Sequence, residues 1–308
     1  MKSYRQIFKY DDRLGFKYMP NLSLTILGNP SDNMRDYKII TDKYGFRNNK
    51  SLEELKNIEN LFIGCSFTAG DGVDNSQRFT NKLISNSYNA ALSGSDFIQQ
   101  CLIAEDFAKL IRPKRVFFSP YIGCLQRNTL KERKMQLINF KKSWPKPYAE
   151  IIKNKIVFKN IPVPKPYINF DNFSKIKKKS NLNIFVQRVR DKILRGKDFL
   201  DSLDNYYKLE QQYKICKHCL LLSKGYFKES KLYLMPIPNW EFQKLANLKL
   251  INRVRYFYDS LANDLNIKHF FLNDYLERNY ASKMYYLEGH LNPFGHQKVA
   301  DILNEKLL

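Results

Sequence analysis

The sequence has little that would staple, anchor or metallate a protein. Its 308 residues contain only five cysteines, at irregular spacing, which favours reduced thiols over a disulfide framework. Cys216 and Cys219 form a CxxC around His218, but no second Cys/His pair follows at a zinc-site spacing, so they read as structural thiols on a helix. No stretch reaches the roughly 18 uninterrupted apolar residues of a membrane span, and Met1–Tyr10 is cationic without the apolar run of a leader. A cytoplasmic protein is expected, with peripheral attachment to a membrane as the variant its charge allows. Neither a P-loop nor a dinucleotide fingerprint is present, and nothing in the pattern requires a cofactor or a metal. Acidic residues are also scarce: 30 Asp and Glu face 52 Lys and Arg, a formal charge of +22 that draws a protein toward phosphate, carboxylate or anionic lipid.

What is present is a foldable, patterned chain. Hydrophobic residues make up 44% and aromatics 14%, too many for a disordered segment. Short β-rich apolar runs alternate with longer amphipathic stretches, which predicts an α/β fold: a flavodoxin-like three-layer α/β/α arrangement around a parallel sheet of about five strands. The strands are expected at Asn60–Gly64, Tyr88–Leu92, Arg115–Ser119, Lys231–Ile237 and Lys268–Leu272. The helices are expected near Gln77–Ser87, Asp96–Ile111, Asn205–Lys224, Glu241–Asn266 and Pro293–Leu307, the last with Asn292 as its cap and Pro293 at its first position. The segment 127–197 breaks this rhythm. It is strongly basic and punctuated by Pro145, Pro147, Pro162, Pro164 and Pro166, with Trp144, Tyr148 and Tyr167 available for stacking on sugars or bases. The expected organisation is an N-terminal extension (1–58) packing on the core, a core built from 59–126 and 198–308, and a basic insertion or lid (127–197).

Two distant segments carry the chemistry. In Leu61–Val73 (LFIGCSFTAGDGV) an apolar run ends in Gly64-Cys65-Ser66, placing Ser66 at the carboxyl end of a strand, where open α/β sheets bind ligands; a serine there also serves as an ordinary helix cap. In Tyr286–His296 (YLEGHLNPFGH), Glu288 and His290 lie two residues apart before the final helix. That spacing lets a carboxylate orient an imidazole that takes a proton from a hydroxyl, while a loop histidine beside a solvated acid is the plainer alternative. His296 is expected to pack at the helix start and position the His290 loop.

Taken together these segments resemble the SGNH/GDSL hydrolase family, as do Asn89-Ala90-Ala91-Leu92-Ser93-Gly94, the N-terminal Asp12-Arg13-Leu14-Gly15-Phe16 with Pro20-Asn21, and Tyr44-Gly45-Phe46-Arg47. The resemblance implies Ser66 as nucleophile, His290 as general base, Glu288 as its orienting acid in place of the usual Asp, and the Gly94 amide in an oxyanion hole. The N-terminal motifs are similar to a segment of bacterial members that act on carbohydrate acyl groups. The family's third block, which normally supplies an Asn oxyanion donor, reads Gly123-Cys124-Leu125-Gln126-Arg127-Asn128 here, leaving Cys124, Gln126 and Asn128 as candidates for that place. The resemblance implies covalent acyl transfer to water or to a second hydroxyl, on an acyl ester of a small molecule, a carbohydrate or a glycan. The other reading is a non-catalytic member that binds an anionic glycan or nucleic acid through its basic insertion, whose charge also suits an anionic membrane surface. Oligomeric state is not encoded in any pattern of the sequence.

Overall fold

Five short strands, most of their residues buried, organise the molecule in the computed structural model, which describes residues 7–137, 140–165, 208–237, 248–276 and 283–307. Strands β5 (Asn60–Gly64), β6 (Ser87–Asn89), β7 (Arg115–Ser119), β12 (Lys231–Leu234) and β13 (Lys268–His269) form one parallel sheet in the order β13-β12-β7-β5-β6. Ranked along the chain this order is 2-1-3-4-5, the flavodoxin-like arrangement, whose switch point lies between the first and third strands, here β5 and β7.

Because side chains of a strand alternate between faces, each central strand feeds two cores. Leu61, Ile63, Val116, Phe118, Leu232 and Leu234 enter one apolar cluster with helices α2 (Phe97–Leu110), α3 (Leu209–Tyr226) and α4 (Leu248–Leu265). Phe62, Phe117 and Tyr233 enter the other, where Val299, Ala300 and Leu303 of α5 (Pro293–Lys306) cover them. The result is the expected three-layer α/β/α fold, with both sheet faces buried as parallel strands require. Among the described residues no helix is long and apolar enough to cross a membrane.

The N-terminal segment forms two antiparallel hairpins, β1 (Phe8–Asp11) with β2 (Gly15–Tyr18) and β3 (Ser23–Ile26) with β4 (Tyr37–Ile40). Phe16, Tyr18 and Ile39 join the first cluster. The basic segment also begins as two hairpins, β8 (Glu132–Leu137) with β9 (Phe140–Pro145) and β10 (Tyr148–Ile152) with β11 (Lys155–Lys159). These two parts touch: the Val163 amide donates to the Asp12 carbonyl at 2.5 Å, and the Tyr10 hydroxyl donates to the Val163 carbonyl. Residues 166–197, with Pro166 and Tyr167, lie outside the described residues, as do 205–207 and 241–247 of the expected helices. Trp144 is not free to stack on a ligand, since it is buried and meets Phe16 edge-on with ring centroids 6.2 Å apart.

One expected helix is absent. Over Gln77–Ser87 the chain makes only two single 3-10 turns, Asn75–Gln77 and Phe79–Asn81. Arg78 between them is extended (φ −68°, ψ 145°), and the Asn and Ser residues that follow compete for backbone groups. The strand β6 is likewise shorter than Tyr88–Leu92, although the Ala90 and Leu92 amides still bond the carbonyls of Phe62 and Gly64 at 2.8 and 3.0 Å.

Candidate active site

Ser66 opens the one-turn helix α1 (Ser66–Ala69) directly beyond β5, at the carboxyl edge of the sheet and at its switch point. The turn is tight enough to require glycine at its base: a Cβ on Gly64 would stand 2.4 Å from Thr68 Oγ1 and 2.7 Å from the Ser119 carbonyl. Beyond α1, residues 70–73 are pinned from the N-terminal segment. The buried Arg47 guanidinium donates to the Gly70 carbonyl at 2.5 Å and the Val73 carbonyl at 2.7 Å, which gives the Tyr44–Arg47 motif a structural purpose at the loop that follows Ser66.

The other half of the site comes from the loop before α5. The Tyr286 amide donates to the His290 carbonyl at 2.9 Å, and Tyr285 and Leu291 form a bridge, so the loop closes on itself. Asn292 Oδ1 then accepts from the Gly295 amide at 2.9 Å, fixing where the helix begins. The closed loop brings His290 Nε2 to 2.8 Å from Ser66 Oγ. On its far side Nδ1 lies 2.8 and 2.6 Å from the two oxygens of Glu288, and the ring packs on Phe67 with centroids 4.7 Å apart. Burial favours a neutral His290, but the hydrogen bond and charge of Glu288, with Asp71 behind it, outweigh burial and hold the imidazole above its ordinary 6.5; Arg127 pulls the other way.

The remaining sequence candidates separate. Gly94 sits at φ +81°, a left-handed conformation suited to glycine, and neither its amide nor that of Ser66 has an acceptor among the described residues. Both therefore remain available to an incoming oxygen. Asn128 does not: it is fully buried, its Oδ1 accepts from the Phe97 amide at 3.0 Å, and its Nδ2 donates to Gln212 at 2.9 Å and Cys216 Sγ at 3.7 Å. Its amide is used in joining α2 to α3, which corrects the expectation of an oxyanion donor there. Cys124 is also fully buried, in the apolar cluster with Cys65, and its sulfur takes a hydrogen bond from Arg127 at 3.6 Å. Gln126 is half-buried on the 3-10 helix Ile122–Thr129, and its side chain has no partner among the described residues. His296 accepts from the Phe79 amide through Nδ1 at 3.2 Å and stacks on the Phe79 ring, which ties the start of α5 to the turn below it.

Sequence reading passed over one group. The Asp71 carboxylate accepts from Ser93 Oγ at 2.5 Å, and Ser93 Oγ meets the buried Tyr18 hydroxyl. Burial raises the Asp71 carboxyl, opposed by His290, the Ser93 hydrogen bond and Arg47. Only the adjacency of Ser93 to Gly94 could have hinted at this from sequence.

No family model and no curated protein matches the chain. Among solved structures the chain is similar to TesA, at a TM-score of 0.44 and 11% identity, covering 80% of this chain and 95% of that one. It is also similar to a member of the lipolytic protein G-D-S-L family from Veillonella parvula DSM 2008, at a TM-score of 0.42 and 12% identity, covering 81% of this chain and 98% of that one.

Proposed function

We propose that this protein is a serine-dependent O-acyl ester hydrolase or acyltransferase that works through an acyl-enzyme on an acylated carbohydrate or glycan. The observation that carries the reading is the unbroken hydrogen-bonded line from Ser66 Oγ through the His290 ring to Glu288. In that line His290 Nε2 takes the Ser66 proton as Oγ attacks the ester carbonyl, and Glu288 stabilises the imidazolium that results. The developing oxyanion meets the free amides of Ser66 and Gly94, with Gln126 as the side-chain donor in the place where the family carries Asn. His290 returns its proton to the leaving alcohol, and water or a second hydroxyl then takes the acyl group by the same steps in reverse. The carbohydrate part of the reading rests on the likeness of Asp12–Phe16 and Tyr44–Arg47 to segments of carbohydrate-acting family members.

One observation favours a non-catalytic reading, binding of an anionic glycan or nucleic acid: Cys124 and Asn128 are both withdrawn from the site. A fluorophosphonate probe separates the two, because it labels an activated serine without requiring the natural substrate. Labelling of the wild type that disappears in Ser66→Ala and falls at least about 100-fold in rate in His290→Ala is the result expected of general-base activation. A folded wild-type protein that does not label would overturn the enzymatic reading.

A further inference from the structure

Asp71 lies between the two turns that the proposed chemistry uses. Its amide donates to the Ser66 carbonyl at 3.0 Å, and its Oδ1 accepts from the hydroxyl of Ser93, the neighbour of Gly94, at 2.5 Å. Ser93 has one hydroxyl hydrogen and gives it to Asp71, so the Tyr18 hydroxyl must be the donor in the Tyr18–Ser93 bond. Two hydroxyls are thus aligned to support a single carboxylate oxygen. The other, Oδ2, has no partner among the described residues, although an ionised carboxylate offers about four acceptor positions over its two oxygens. The side chain is half-buried rather than enclosed, so the second oxygen is both short of donors and open to one that arrives.

We infer that Asp71 Oδ2 accepts a hydrogen bond from a hydroxyl on the alcohol portion of the substrate, and so makes the site selective for acyl esters of polyhydroxylated alcohols. The inference rests on the serine-esterase reading above and adds the group that recognises the alcohol. The alcohol side is indicated because Asp71 and His290, which returns its proton to the leaving oxygen, both meet Ser66: the Asp71 amide bonds the Ser66 carbonyl at 3.0 Å and His290 Nε2 lies 2.8 Å from Ser66 Oγ, with the charge of His290 acting on Asp71. A hydroxyl fits better than the other donors. A substrate ammonium would sit against the imidazolium that must form on His290, and Arg47 already supplies a nearby positive charge. An anionic group would face both Asp71 and Glu288.

The test is a matched pair of esters, 2-hydroxyethyl acetate and propyl acetate, which differ by OH in place of CH3, run beside p-nitrophenyl acetate as a reporter of the triad. The wild type is expected to favour the hydroxylated ester by about tenfold or more in kcat/KM, since a site built around a substrate hydroxyl discriminates against its absence. In Asp71→Ala that ratio is expected to fall to about one whatever the absolute rates. The near-isosteric Asp71→Asn keeps an acceptor and the shape of the loop, and retains an intermediate ratio. Ser66-dependent hydrolysis of p-nitrophenyl acetate with a wild-type ratio near one, or with a ratio that survives in Asp71→Ala, overturns the role of Asp71 and leaves the esterase reading standing. Absence of Ser66-dependent hydrolysis of all three esters overturns both.

Discussion

The Lys146 ammonium and the Asp96 carboxylate form an ion pair with no solvent exposure on either side chain. Lys146 follows the β8–β9 hairpin of the basic segment, and Asp96 caps α2 immediately after the Ser93-Gly94-Ser95 turn, its Oδ1 accepting from the Ile98 and Gln99 amides at 3.0 Å. The Asn160 side chain adds a bond to the Lys146 carbonyl at 2.8 Å. Through these contacts the start of the basic segment is tied to the loop carrying the free Gly94 amide.

Breaking that pair from one side leaves a buried carboxylate without its cation. Lys146→Ala is expected to destabilise the protein by about 3–5 kcal/mol in urea unfolding. The double variant Lys146→Met with Asp96→Asn removes both charges and keeps a good N-cap, so it is expected to recover most of the loss. If Lys146→Ala unfolds at the wild-type urea midpoint, the pair contributes nothing to the fold.

The pH dependence of the proposed reaction follows from the groups around His290. Only the neutral ring accepts the Ser66 proton, so kcat/KM for p-nitrophenyl acetate rises with pH as His290 deprotonates. The midpoint is expected above the ordinary 6.5 because Glu288 and Asp71 together outweigh burial and Arg127. Glu288→Gln removes the nearer negative charge, so the midpoint moves to lower pH while the plateau falls by about 10²–10⁴. An unmoved midpoint in Glu288→Gln would show that the carboxylate does not govern the base.

The parts of this architecture that could be read from sequence are those fixed by local pattern. Asn60–Gly64 and Arg115–Ser119 are strands to the residue because every position but Arg115 is buried and each run follows a charged residue, Glu59 or Lys114. The caps Asp96 and Asn292 carry their own side-chain chemistry. Ser66, Glu288 and His290 stand out because each lies within two residues of a glycine in a recognisable motif. The Tyr18–Ser93–Asp71 line is not legible, since it joins the end of β2 to two turns that meet it only after the N-terminal hairpin docks on the sheet. Asn128 misled for a related reason: an amide in the expected block says nothing about which way burial turns it. The β10–β11 hairpin did leave a signal, Lys153-Asn154 between apolar strands. Both residues take positive φ, 47° and 60°, as a two-residue hairpin turn demands, but the surrounding lysines hid the alternation.

His296 offers a last prediction, about stability. It is fully buried, with Arg78 and Arg47 among the charges acting on it, and burial together with those cations lowers its pKa to about 3. In the unfolded chain it titrates near its ordinary 6.5. Between these values the unfolded state binds the proton and the folded state does not, so stability falls as pH drops from 6.5 toward 3, by at most about 1.4 kcal/mol per pH unit from this group. His296→Phe removes that slope. It also removes the acceptor for the Phe79 amide, which at neutral pH costs about 1–3 kcal/mol. Urea midpoints for wild type and His296→Phe should therefore differ most at neutral pH and converge as the solution is acidified. A constant difference would mean that His296 is already protonated in the folded protein, or that it exchanges its proton equally in both states. Fluorophosphonate labelling of folded His296→Phe separates this role from chemistry: the proposed Ser66–His290 pair is left intact in the variant, so the serine should label, and loss of labelling without loss of fold would place His296 in the reaction.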